Sequence, residues 1–433
     1  MGRQPYTPMS KKLKKFPNLD PLRFLLASMV VIYHIPAISR TVGLPAFDAL
    51  PMFHKGSEAV FVFFTLSGFL IIRSLFVEKE RTGTISIKNF YLRRILRIYP
   101  VYYFVLIFGF LFYHLILPIA GIPYETNYDV FTGIFLCVAF LPNVFQVLFE
   151  PGGILNILWS IGIEEQFYLL IAPVSYFLAK KRFVPFLLGF SIIFFLVYFF
   201  EPYQFFAKYY VLFFYFSFGG LLSVLNHQSK DNWLLLNKPL QYVLTGIVGL
   251  YFLTDVFKIM PEPLYHFTSM LIFGLFVLNI SRNPKPIFII ENRAWIYLGK
   301  ISYGVYMYHM IVVNIVLFLF TELQEKVALP AVAVIIAINI LTIGLTILMS
   351  HLSFKYYENF FLNLKGRFRK EDKKSKSQVT ETSSNVNLTH STEEVKTTKT
   401  PNQLTTSFTE KREDSSKRRK AKAFLEDILT TQK

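Results

Sequence analysis

Leu22-Arg23-Phe24-Leu25-Leu26-Ala27-Ser28-Met29-Val30-Val31-Ile32-Tyr33-His34-Ile35-Pro36-Ala37-Ile38-Ser39 is a hydrophobic stretch long enough to cross a bilayer as one helix. It nevertheless carries a guanidinium and an imidazole eleven positions apart. Eleven residues make almost three helical turns, so Arg23 and His34 point the same way, roughly 16 Å apart along the axis. Such groups are costly in hydrocarbon. They persist where they face protein or a watery cavity, and there they mark a pathway or a reaction centre.

Nine further apolar blocks of similar length follow: Ala59–Val77, Val101–Ile119, Leu158–Ala179, Phe183–Phe200, Tyr209–Leu225, Leu240–Phe257, Leu264–Ile280, Ser302–Phe320 and Ala331–Phe354. None alternates in polarity as barrel strands do, so the expected class is an all-α integral membrane protein of about ten transmembrane helices in one bundle. A shorter stretch, Val130 to Val147, is interrupted by Pro142 and Asn143 and reads as re-entrant or interfacial.

The formal charge of +17 is placed by topology rather than by nucleic acid. Lysine and arginine crowd the N-terminal arm (Lys11, Lys12, Lys14, Lys15) and every second connection, including Lys79, Arg81, Lys88, Arg93, Arg94, Arg97, Lys180, Lys181 and Arg182. The intervening connections hold few, among them Arg40, Lys55, Lys208, Lys258 and Lys326. That alternation is the positive-inside pattern, and it puts both termini in the cytoplasm of a multi-pass protein of the cell membrane. The single cysteine, Cys137, leaves no intramolecular disulfide and no thiolate metal cluster, and no metal site is expected. The first block lacks a small-residue cleavage site, so it reads as a retained helix rather than a signal peptide.

Three segments follow from this division: a basic cytoplasmic arm over residues 1–18, a membrane domain over 19–365, and a polar tail over 366–433. The tail is rich in Lys, Ser, Thr, Glu and Asn and cannot bury enough apolar area to order itself. Within it, Ala421–Leu429 beside Lys417–Lys420 reads either as a short lipid-contacting helix or as solvated chain.

Five constellations could carry chemistry. Arg23 suits a phosphate, and a neutral His34 suits proton abstraction. Phe90-Tyr91-Leu92-Arg93-Arg94-Ile95-Leu96-Arg97 sets Arg94 and Arg97 on one helix face, a second phosphate-binding element or else ordinary interfacial anchoring. Trp159-Ser160-Ile161-Gly162-Ile163-Glu164-Glu165-Gln166-Phe167-Tyr168 places Glu164 and Tyr168 one turn apart, with Glu164 expected to orient the His34 ring or to bind a sugar hydroxyl, and Glu165 expected in interfacial water. Phe63–Ile71, with Ser67 and Gly68, permits close helix approach. Leu298–Tyr306 with His309 puts Lys300, Ser302 and an imidazole in the ninth span.

In this order and spacing, the five segments resemble the acyltransferase family 3 membrane proteins. That resemblance implies a ten-helix enzyme that takes an acyl group, usually acetyl, from cytoplasmic acyl-coenzyme A. The group would pass to a hydroxyl of a glycan or lipid-linked saccharide at the outer face, with no permanently bound cofactor. The matching positions are Arg23, Arg94 and Arg97 for the donor and His34 and Glu164 for catalysis, with Ser67, Tyr168, Ser302 and His309 in support. Many relatives carry an acid just before the paired phenylalanines of the second span; here Phe61 stands there and Glu58 lies nearly one turn earlier. Some relatives also carry an external hydrolase-like domain that this sequence does not contain, which implies direct transfer or a separate external transferase partner. A transporter or flippase of lipid-linked saccharide is the alternative that the same intramembrane charges would serve.

Overall fold

The computed structural model describes residues 16–122, 124–229, 236–290 and 292–364. The expected basic arm up to residue 15, and the expected tail, lie outside the described residues. Ten long helices account for the ten apolar blocks: α1 (Leu19–Thr41), α2 (Gly56–Thr82), α3 (Ile87–Leu111), α4 (Leu158–Phe177), α5 (Phe183–Phe200), α6 (Phe213–Gln228), α7 (Lys238–Leu253), α8 (Glu262–Arg282), α9 (Arg293–Lys326) and α10 (Ala331–Ser353). No strand occurs among the described residues. Eight of these helices are long and apolar enough to cross a membrane. The other two, α6 and α7, have 16 residues each and span about 24 Å, short of a ~30 Å hydrocarbon core. The chain is an all-α, multi-pass membrane protein.

Successive helices run in opposite directions, as cross-links at their ends establish. Lys79 at the end of α2 donates to the Ser175 carbonyl near the end of α4, and Lys180 pairs with Glu80. At the opposite end, Lys55 before α2 meets Asp255 after α7 at 3.1 Å. The end where α1 begins is called the arginine end below.

Burial separates central helices from peripheral ones. Within their most apolar windows α2 and α9 bury 72% of residues, whereas α5 and α10 bury only 22%, as lipid-facing helices do. Close approach at the centre depends on missing side chains. A Cβ on Gly68 of α2 would strike the Phe216 carbonyl of α6, and one on Gly219 of α6 would strike the Thr65 carbonyl of α2. With no hydrophobic drive between helices inside a bilayer, such packing supplies the adhesion. Gly299 of α9 meets the Asp20 backbone in the same way, fixing α1 against α9.

Irregular backbone is confined to places where protein satisfies it. In α3, Pro100 interrupts the helical ladder, and nearby carbonyls are captured by other helices: Tyr303 donates to the Ile98 carbonyl and Tyr357 to that of Pro100. The Val130–Val147 stretch is broken, as expected, into Val130–Val138 and Pro142–Phe149, with Phe140 between them at φ 59°. Gln166 of α4 anchors the break by donating to the Phe140 carbonyl and to Asn143. A π-helical turn, Phe354–Glu358, follows α10; such turns recur at functional sites.

Candidate active site

A cavity of about 310 Å³ opens between α1, α2, α3, α4 and α9. Its wall holds seven of the nine residues singled out from sequence: Arg23, Ser67, Arg94, Arg97, Glu164, Tyr168 and Ser302. A second cavity of about 210 Å³ adjoins it, sharing Arg23, Arg97 and Tyr303 and adding Asp20, Lys300 and Glu358. Those three shared residues stand between the two spaces, so a ligand reaching from the arginine end into the bundle would pass the two guanidiniums.

Each arginine is presented differently. Arg23 is one turn beyond Asp20, and the two pair at 3.3 Å. Arg94 lies over the Tyr168 ring, 5.8 Å from its centroid, and its buried Nε has no acceptor among the described residues. Arg97 is exposed to the cavities although it comes ten residues into α3. Arg93 points elsewhere, to Glu78 at 3.4 Å. Cations whose donor edges remain unspent inside an apolar bundle are suited to an anion with several oxygens.

On the same cavity wall, Glu164 accepts hydrogen bonds from Ser67 and Tyr168 at the same carboxylate oxygen. Helix spacing explains half of this, since Glu164 and Tyr168 are one turn apart; the close packing of α2 beside α4 supplies Ser67. This corrects one expectation: Glu164 does not orient His34. Glu165, expected in water, is buried instead at 3% exposure. Ser302 donates to the Gly299 carbonyl of its own helix while lining the cavity.

The partner of His34 is His309. Its Nε2 lies 3.2 Å from His34 Nδ1, and its own Nδ1 is 2.5 Å from the Tyr306 carbonyl. A carbonyl only accepts, so His309 carries its proton on Nδ1 and offers a lone pair at Nε2. His34 Nδ1 therefore faces two acceptors, that lone pair and the Val30 carbonyl at 2.9 Å. Both hold its proton on Nδ1, which leaves Nε2 of His34 as the basic nitrogen. Tyr306, whose carbonyl fixes the tautomer, lines the cavity and is itself held by Ser160 at 2.6 Å and by the Ile157 carbonyl at 3.0 Å. Neither histidine belongs to the cavity wall; the pair sits one helical turn past Tyr306, away from the arginines.

A family profile described as an acyltransferase domain matches residues 16–351, which takes in every residue named above for this site except Glu358. The chain belongs to the acyltransferase 3 family. Among its acyltransferase relatives, a Staphylococcus aureus (strain COL) protein, named only provisionally as an O-acetyltransferase, is 28% identical over 391 residues, covering 81% of this chain and 58% of its own length. A protein of Acidianus two-tailed virus, likewise provisionally named an acetyltransferase, is 25% identical over 317 residues, 68% of this chain and 82% of its own. The peptidoglycan O-acetyltransferase OatA of Listeria monocytogenes is 31% identical over 167 residues, 36% of this chain and 24% of its own. The chain thus spans 58% of the length of the staphylococcal relatives it matches. No solved structure matches it.

Two further acidic residues are buried at helix ends. Glu358, which sequence reading missed, is at 6% exposure, accepts from Ser353 at 3.2 Å and lines the second cavity beside Arg97. It follows the last apolar block among Lys355, Tyr356 and Tyr357, where a carboxylate reads as interfacial. Glu58, the candidate substitute for an acid at position 61, is occupied by Tyr265 at 2.8 Å and Lys55 at 3.7 Å, at the end opposite the arginines.

Proposed function

We propose that this chain is a membrane O-acetyltransferase that uses cytoplasmic acetyl-coenzyme A and acylates a hydroxyl of an envelope glycan or lipid-linked saccharide at the outer face. One observation carries the reading: a cavity walled by three arginines reaches Tyr306, and one helical turn past Tyr306 a second histidine meets His34 and fixes its tautomer. The surplus of lysine and arginine at the arginine end supports a cytoplasmic assignment for that end and for both termini.

In this reading Arg94, Arg97 and Arg23 hold the donor's phosphates, and the pantetheine arm extends past Ser67 and Tyr306 toward the imidazoles. An extended arm covers about the ~16 Å that separates Arg23 from His34 along α1. Nε2 of His34 removes the acceptor's hydroxyl proton as the oxygen bonds to the thioester carbonyl carbon. The carbon–sulfur bond then breaks, and the departing thiolate takes the proton from the imidazolium, returning His34 to its starting state. His309 keeps the ring oriented and stabilises the transient cation by offering its lone pair. Glu164 keeps Ser67 and Tyr168 in place on the cavity wall, beside Arg94.

Reconstitution of the purified protein in liposomes with radiolabelled acetyl-coenzyme A and a candidate glycan tests this. Release of coenzyme A with label on the acceptor is expected. Saccharide flux without thioester cleavage would instead identify a transporter.

A further inference from the structure

Two more arginines meet at the arginine end, outside the cavity. Arg73 on α2 and Arg282, the last residue of α8, both lie over the ring of Phe16, at 5.3 and 5.5 Å from its centroid. Phe16 is held in turn by an edge contact with Phe69 at 5.7 Å. A cation resting on a ring face keeps its in-plane N–H edge unspent. Among the described residues, Arg282 commits only its Nε, to Asn226 at 2.7 Å. Arg73 commits nothing: its Nε and Nη1 are shut off from solvent without an acceptor among the described residues.

Among the described residues, the neighbouring carboxylates are engaged elsewhere. Glu80 is shared between Lys180 and His227, and Glu78 between Arg93 and the Ser86 amide. Residues 1–15 contain no aspartate or glutamate that could neutralise the pair. Two like charges around one ring, with orphaned donors, are an arrangement that an anion with several oxygens would complete. Ser74, next to Arg73 on α2, lines the site cavity.

We infer that Arg73 and Arg282, spaced by Phe16, form a second phosphate subsite. Its ligand is a phosphate ester, either the 3′-phosphate of the coenzyme A donor or the headgroup of an anionic lipid. The first source rests on the donor reading above; the second stands without it.

The test uses the full chain in nanodiscs as wild type, Arg73→Gln and Arg282→Gln. In phosphatidylcholine discs, affinities for coenzyme A and for 3′-dephospho-coenzyme A are compared. If the donor fills the subsite, each variant weakens coenzyme A binding about tenfold and leaves the dephospho compound unchanged. In discs containing phosphatidylglycerol, native mass spectrometry counts retained lipids. If a lipid fills it, each variant loses one bound phosphatidylglycerol. Unchanged coenzyme A affinity together with unchanged lipid retention overturns the subsite. Wild type that binds no coenzyme A defeats the donor reading and leaves the lipid count to decide. The ligand-free Arg73→Gln protein is expected to melt no lower than wild type, since a like charge is removed; a marked drop assigns Arg73 a structural role and overturns the proposal. Arg73→Lys, which keeps charge but lacks the fork, should fall between wild type and Arg73→Gln in whichever arm responds.

Discussion

His309 offers its Nε2 lone pair to Nδ1 of His34 at 3.2 Å, across 275 positions of sequence. The contact ties α1 to α9 and determines which nitrogen of His34 is free to act as a base. Removing His309 should therefore damage turnover more than binding. His309→Ala is expected to lower kcat roughly 100-fold with little change in the donor KM, a loss typical of impaired general-base catalysis. Steady-state kinetics with acetyl-coenzyme A measure both; a rise in KM at constant kcat would assign His309 to donor binding instead.

Arg97 separates the two cavities and has no ion pair among the described residues. Arg97→Ala should raise the donor KM about tenfold or more, the cost of losing a charge-assisted phosphate contact. Arg97→Lys should recover part of that loss, because charge survives and the bidentate geometry does not. An unchanged apparent affinity in both variants removes Arg97 from the donor site.

Ser67 and Tyr168 share one oxygen of Glu164, so the three side chains act as a unit. Glu164→Gln is expected to cost about 1–3 kcal/mol of stability, since two hydroxyl donors lose a charged acceptor. Thermal unfolding of Ser67→Ala, Glu164→Gln and the double variant should reveal a coupling of at least about 0.5 kcal/mol. Additive effects would mean that the three groups merely adjoin.

Glycine at position 68 is required by the Phe216 carbonyl of α6. Gly68→Ala must push α2 from α6 and should destabilise the bundle by about 1–3 kcal/mol. Gly246, on the peripheral helix α7, faces open space, and Gly246→Ala should be neutral or slightly stabilising. Melting temperatures in one detergent compare the two directly, and equal losses would contradict the packing argument.

The residues behind these predictions are unequally visible in the sequence. Charges inside apolar helices are conspicuous because hydrocarbon penalises them, which is why Arg23 and Glu164 stand out from position alone, whereas Arg94 and Arg97, in a basic connection, read equally as interfacial anchors. Helix spacing places Glu164 with Tyr168, and the proline at 142 marks the broken segment. Pairings between distant helices leave no such trace. Nothing in α1 alone says that His34 meets α9, so Glu164, another intramembrane polar group, is the natural but mistaken partner. Arg73 sits near the charged end of an apolar block, where an arginine reads as an interfacial anchor. The lack of a neutralising neighbour among the described residues is visible only once α8 and Phe16 are beside it.

The central claim is that His34 takes the proton of the acceptor while the arginines hold the donor, so binding and turnover should separate. The most direct measurement compares wild type with His34→Ala in one preparation, following coenzyme A affinity by calorimetry and transfer of radiolabelled acetyl groups by scintillation counting. Unchanged affinity is expected, with transfer reduced by at least about 100-fold. Transfer at the wild-type rate in His34→Ala would contradict the claim.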